Sequence, residues 1–365
     1  MRRALCLVLA LLVLLPFGGM ANAEAEVTGR MALDYAENFS VDYYKGGTAR
    51  LRIAEQDVLL LPEDAVVPAG LEALPRIPIP AKKLYLASSS APDLFLRMDA
   101  LDTVQYSSTT TENWRIPELR AAMEEERIWY AGKYSAPDYE LLLSEGCGLV
   151  VENTMILHNP AVKEKLEELG FPVLIEYSSY EPHPLGRVEW IKLYGLLTGR
   201  LPEAEAFFDR QAETFRSAEQ AAPSGKTVAF FHITPSGGVT VRRRADYITR
   251  MIELAGGETA ITDLPEAENA LSTETIQMES FYAQARDADV LIYNSTAVGA
   301  VPDMEAFLAL NPLLADFRAV RTGEVWCTEK SMFQRSSAAA DIIRELHAIL
   351  CGEADDQLSC FYRVK

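Results

Sequence analysis

"GRVEWIKLYGLLTGRLPEAEAFFDRQAETFRSAEQA", residues 186–221, holds no strand pattern. Its apolar residues recur at helical spacing, and the only breaks are Gly199 and Pro202. As one helix it would run about 50 Å, enough to lie along two domains. On either side the chain alternates. Before it, "KKLYLASSS", "RIWYAG", "CGLVVENT" and "FPVLIEY" read as strands between helices such as "PDYELLLSEG" and "NPAVKEKLEELG". After it, "TVAFFHIT", "ADVLIYNS" and "GEVWCT" are strands among the helices "ADYITRMIELAG", "IQMESFYAQAR" and "MEAFLALNPLL", with a last helix through "SSAAADIIRELHAIL". Such alternation predicts parallel sheets covered by helices. The expected fold is α/β: two Rossmann-like lobes with parallel sheets, joined by a long helix, with a ligand cleft between the lobes.

The domain limits follow from this spine. Arg2 and Arg3, the apolar run "ALCLVLALLVLLPF" and Ala21-Asn22-Ala23 make residues 1–23 a cleaved secretory signal peptide. Cys6 does not follow the apolar run, so it is not placed as a lipoprotein's acylated cysteine. Residues 24–80 read as a β-hairpin around Gly46-Gly47, then a proline-rich connector, "LPEDAVVPAGLEALPRIPIP". The N-terminal lobe is expected over 81–185, the linking helix over 186–222 with a break near 199–202, the C-terminal lobe over 223–352, and a tail over 353–365.

Lysine and arginine number 34 against 53 acidic residues, a net charge of −19. Such a surface repels nucleic acid and anionic membranes. Beyond the leader, Cys147, Cys327, Cys351 and Cys360 remain. Three pairings are open, as are free thiols, and Cys351 with Cys360 would close a short loop. No phosphate-binding glycine loop, nucleophile elbow, H-E-x-x-H or C-x-x-C occurs.

Four stretches carry a resemblance: "YSAPDYELLLSEGCGLVVENT", "HPLGRVEWIKLYGLLTGRLPEAEAF", "ETIQMESFYAQARDADVLIYNST" and "TGEVWCT". In this order, between about residues 80 and 350, the chain resembles the class III, helix-linked substrate-binding proteins of ABC importers. The resemblance implies an exported, periplasmic, non-catalytic monomer without a cofactor. It would capture an iron-siderophore-type metal chelate, haem or a corrinoid and deliver it to the importer's membrane subunits. It further implies two transporter-docking glutamates, one per lobe, at Glu140 and Glu279.

Ligands of open α/β sheets meet the loops after the carboxyl ends of strands. That rule selects Ser88–Ser90, Trp114, Tyr134, Glu152, Asn153, His158, Tyr180, Glu181, His183 and Arg187 in the first lobe. In the second it selects His232, Arg242, Arg243, Arg244, Tyr247, Asn294, Trp326 and Phe333. Rings stack on a planar chelate, and guanidinium groups hold carboxylate or catecholate oxygens. Glu189 and Lys192 read instead as the solvated opening of a helix. Two alternatives stay open. One is a bare divalent metal held through histidines 158, 183, 232 or 347, with no ligand set named. The other is a secreted hydrolase or chelatase using Glu181 and His183 with Ser88–Ser90.

Overall fold

The computed structural model describes residues 25–219, 222–265, 272–355 and 358–365. The signal-peptide reading of residues 1–23 lies outside the described residues. Among the described residues no helix is long and apolar enough to cross a membrane.

Residues 24–80 depart from the expected hairpin and connector. They form a five-stranded sheet of β1 (Gly29–Arg30), β2 (Phe39–Tyr43), β3 (Ala49–Ile53), β4 (Gln56–Pro62) and β5 (Arg76–Ile79), in sequence order. The β2–β3 hairpin does turn at Lys45–Gly47. The proline-rich stretch hid β5, which alternates exposed and buried side chains. Its Pro78 sits on an edge strand, where a missing N–H breaks no ladder.

The first lobe is a sheet of β6 (Leu84–Leu86), β7 (Val104–Ser107) and β8 (Trp129–Tyr130), then, beyond the small ribbon β9 (Gly132–Lys133) and β10 (Ala136–Pro137), β11 (Leu149–Asn153) and β12 (Val173–Glu176). The order is β12-β11-β6-β7-β8, and every pairing is parallel. Helices α1 (Ala91–Arg97), α2 (Pro117–Glu124), α3 (Tyr139–Ser144) and α4 (Pro160–Glu168) connect these strands. Burial on both faces explains their unbroken apolar runs, such as Leu149–Val151.

The spine is two helices rather than one. α5 (Pro184–Thr198) ends where Gly199 adopts a left-handed φ of 74°, and α6 (Leu201–Glu219) starts at once and packs back along it. A Cβ on Gly195 would stand 2.6 Å from that of Ala204, so this crossing needs a glycine. α6 therefore makes the link between lobes, about 28 Å long. It packs along α5, from Gly195 against Ala204 to His183 against Phe215, and also on the last helix of the second lobe.

The second lobe contains β13 (Thr227–Ile233), β14 (Val239–Arg242), β15 (Glu258–Thr259), β16 (Thr273–Ile276), β17 (Val290–Tyr293), β18 (Val325–Thr328) and β19 (Phe361–Arg363). Its helices are α7 (Tyr247–Leu254), α8 (Met278–Ala285), α9 (Ser295–Val298), α10 (Met304–Leu310), α11 (Arg318–Thr322) and α12 (Ala339–Cys351). β15, β13, β17 and β18 run parallel, as expected, but β14, β16 and β19 are antiparallel additions. The residues read as a tail thus supply an edge strand, anchored by buried Phe361 and Val364. One apolar core runs from the N-terminal sheet through α5, α6 and α12, tying both lobes to the spine.

Candidate functional site

The parallel strands of the two lobes aim their carboxyl ends at a shared cleft, which has two compartments. The outer one, about 540 Å³, is lined from the first lobe by loops after β6, β7 and β8 and from the second by Thr296 and the Lys330–Gln334 loop after β18. The inner one, about 330 Å³, lies between Ser90, Ser178, Ser179, Pro184 and Arg187 on one side and Arg242, Tyr247 and Met332–Ser336 on the other. Phe333 borders both. Gln334 spans one edge of the cleft: its Nε2 donates to Asn113 O (2.9 Å), and its Oε1 accepts from Arg115 N (2.8 Å). Deeper, Ser337 N donates to the buried Asp93 carboxylate at 2.8 Å, again across the lobes.

Of the residues selected from sequence, Ser89, Tyr134 and Phe333 line the outer compartment, and Ser90, Arg187, Arg242, Tyr247 and Phe333 line the inner one. Arg187 lies with its guanidinium carbon 3.5 Å from the centroid of the Tyr247 ring and donates to Ser179 O. Its Nε is buried without a partner. Burial lowers the Arg187 pKa, while Tyr247, Asp246 and Glu176 act the other way. Arg242 stacks over Phe333 at 5.3 Å and pairs with the fully buried Asp246 at 3.2 Å.

The other selected residues lie elsewhere. Trp114 and Trp326 are core; the Trp326 indole N–H donates to Glu324 at 3.2 Å and Arg363 covers its ring. Tyr180 is exposed beside Tyr177 and lines neither compartment. Arg243 pairs with Glu274, and Arg244 is exposed in the turn before α7. Asn294 caps α9, its side-chain oxygen accepting from Thr296 N at 3.2 Å. His232 is half-buried on β13, and burial, then Arg242, lowers its pKa. Glu152 is fully buried, neither oxygen has a well-formed hydrogen bond among the described residues, and desolvation raises its pKa to about 8.

Glu181 and His183 also leave the cleft. Glu181 is fully buried and accepts from Glu37 N (2.8 Å), Asn38 N (3.0 Å) and Trp190 Nε1 (2.7 Å). His183 caps α5, its Nδ1 accepting from Leu185 N at 3.1 Å, and stacks on Tyr35 at 4.6 Å. Burial pushes its pKa down to about 4, which keeps it neutral. The constellation that a hydrolase would use is therefore not assembled. Ser88 Oγ and Ser90 Oγ bond to each other at 2.9 Å, and the candidate carboxylate and imidazole hold the N-terminal segment instead. Among the described residues no three His, Cys, Asp or Glu side chains gather as a metal-ligating group, so the bare-metal alternative finds no donor set there. Cys147, Cys327, Cys351 and Cys360 are free, and burial pushes Cys147 and Cys360 up to about 11 and Cys327 to about 12.

Sequence reasoning missed most of the outer lining: Thr109, Thr110, Arg115, Tyr130, Lys133 and Lys330, and in the inner compartment Arg335. The signal was present. "SSTTTEN" (107–113), "YAGKY" (130–134) and "TEKSMFQR" (328–335) all follow strand ends, and the strand-end rule was applied to only one residue of each of the last two. Arg115, Lys133 and Lys330 have no carboxylate partner among the described residues, although acidic residues far outnumber basic ones. Hydroxyls and unpaired cations make this opening a receptor for an oxygen-rich anion.

Comparison with known proteins agrees with this architecture. An uncharacterized lipoprotein of Methanocaldococcus jannaschii is 24% identical over 249 residues, 66% of this chain, and the chain spans only 57% of that relative's length. Among solved structures, the periplasmic haem-binding protein HutB of Vibrio cholerae superposes with a TM-score of 0.61 at 14% identity, covering 74% of this chain and 98% of that one. A periplasmic haem-binding protein from Pseudomonas aeruginosa gives 0.60 at 17% identity, covering 78% and 98%. At such identities the structural likeness establishes the two-lobed fold alone. The sequence itself matches the periplasmic binding protein family over residues 110–331, from the outer rim of the first lobe to the loop after β18, and the chain belongs to that family.

Proposed function

We propose that this protein captures an anionic metal chelate of the iron-siderophore type in the interlobe cleft and delivers it to an ABC importer without catalysing a reaction. The observation that carries the reading is the charge of the cleft mouth. Three unpaired cations, Arg115, Lys133 and Lys330, stand among the hydroxyls of Ser108, Thr109, Thr110 and Thr296. Tyr130, Tyr134 and Phe333 offer ring faces to a planar or aromatic chelate. Residues 1–23 serve as the export signal in this reading. Both walls of the cleft come from one chain, which supports action as a monomer.

Delivery rests on Glu140 and Glu279. Each is exposed in the first turn of its helix, α3 or α8, one on each lobe. Charge reversal of both, Glu140→Arg with Glu279→Arg, is expected to abolish ligand uptake by cells while leaving ligand affinity unchanged. Loss of affinity as well would remove the docking role.

Intrinsic tryptophan fluorescence tests the ligand. Arg115 and Tyr130 follow Trp114 and Trp129 directly, so occupancy of the mouth should quench emission. Saturable quenching by a ferric siderophore, and none by free divalent metal, is the expected result. A second reading, haem, is favoured by Tyr130 and Tyr134, whose phenol oxygens are of the type that ligates haem iron. A shifted Soret band on titration with haem, lost in Tyr130→Phe or Tyr134→Phe, would select it over the first.

A further inference from the structure

The inner compartment has a chemistry of its own. Three arginines reach it from separate elements: Arg187 from α5, Arg242 from the end of β14 and Arg335 from the loop before α12. Only Arg242 has a carboxylate partner among the described residues, so two guanidinium charges are left uncompensated by an ion pair. Arg187 also keeps a buried Nε with no acceptor. Buried donors are nearly always satisfied in folded proteins, so an orphan beside a cavity points to an acceptor that belongs there. Ser90, Ser178, Ser179 and Ser336 add hydroxyls to the lining, and Pro184, Met251, Met332 and Ile342 give it an apolar side. A fully hydrated inorganic anion gains nothing from that apolar side, whereas a carboxylate on a short hydrocarbon stem meets both surfaces.

We propose that the inner compartment is a carboxylate subsite, taking a carboxylate-bearing arm of the chelate whose metal centre sits at the cleft mouth. This rests on the chelate reading above. Phe333, which borders both compartments and lies under Arg242, is the partition that the arm passes. The planar guanidinium fork of Arg187 holds the carboxylate oxygens, Arg335 supplies the second charge, and the methionines enclose the stem.

The test compares two ferric hydroxamates that differ only in the arm: ferrioxamine B acylated on its free amine with succinate, which ends in a carboxylate, or with acetate, which is neutral. Butyrate and inorganic phosphate serve as free-anion probes, followed by NMR line broadening against the full mature protein. The expected result is about tenfold or tighter binding of the succinyl chelate, the size of a charge-assisted hydrogen-bond pair. That preference should collapse toward one in both Arg187→Gln and Arg335→Gln. Arg187→Lys, which keeps the charge and loses the fork, should be intermediate. It also covers the case in which Arg187→Gln fails to fold.

Equal binding of the two chelates, or a preference that survives both glutamine variants, overturns the subsite and leaves the chelate reading standing. If neither chelate binds but butyrate does, and Arg187→Gln abolishes it, the subsite stands for a free carboxylate and the chelate reading falls. Binding of phosphate alone, or of no probe, overturns the proposal.

Discussion

The two faces of α5 carry similar residues and do opposite things. One face meets the N-terminal segment. There Glu189 accepts from Asp34 N (2.9 Å), Tyr35 N (2.8 Å) and Ala36 N (2.8 Å), and from Lys192 Nζ at 2.7 Å. Lys192 also donates to Ala32 O (3.0 Å) and lies over Phe208. Glu189 and Lys192, read from sequence as a solvated helix opening, are buried. The other face meets the cleft, where Arg187 has a ring, one carbonyl and an unused donor. A buried charge with every partner in place is structural. One with a donor to spare beside a cavity is available to a ligand.

Removing the best-satisfied carboxylate should have the largest effect. Glu189→Ala leaves Lys192 buried without its counter-charge and is expected to cost about 3–5 kcal/mol in denaturant unfolding. If stability holds and ligand binding fails instead, the division between the faces is broken.

Glu152 sharpens the comparison from a third position, since neither of its buried oxygens has a well-formed hydrogen bond among the described residues. Its carboxyl, raised by desolvation to about 8 from an ordinary 4.5, keeps its proton in the folded chain at pH values where the unfolded chain has released it. Tyr85 and Tyr139 are the titratable neighbours it couples to. The folded state binds more protons, so stability falls as pH rises between about 4.5 and 8, at up to about 1.4 kcal/mol per unit. Glu152→Gln should leave the unfolding midpoint at pH 4 nearly unchanged and raise it at pH 8. No gain at pH 8 would mean that the carboxyl finds partners.

Glu181→Gln keeps the size of the side chain and loses its charge, so it is expected to cost about 1–3 kcal/mol, less than Glu189→Ala, in the same unfolding assay. Smallest are the mouth cations. Lys133→Gln and Lys330→Gln should each weaken binding of an anionic ferric chelate by about 1 kcal/mol without changing stability. Their effect should shrink as salt is raised, because exposed charges are screened. A salt-independent loss would place these lysines in direct, dry contact with the ligand.

These predictions mark what local pattern reveals. The alternation of strands and helices, read residue by residue, located both lobes, and the strand-end rule led to Tyr134, Arg187, Arg242, Tyr247 and Phe333. Periodicity also marked a break at Gly199, but it could not say whether the chain continued straight or turned back. That depends on Gly195 allowing α6 to approach to 2.6 Å of a Cβ position. The N-terminal sheet was obscured because Pro78 looks like a strand breaker until the strand is known to be an edge.

The sequence by itself determined the fold class, the position of the cleft and the chemistry available to line it, because apolar period and strand ends are local properties. Only the tertiary structure decided which charged residue faces which surface. Glu189 meets Asp34 from 155 residues away, and Arg187, two positions before it, meets Tyr247 on the other lobe. Helical spacing sets those two residues on different faces, but the identity of each face is settled by segments that no local pattern connects.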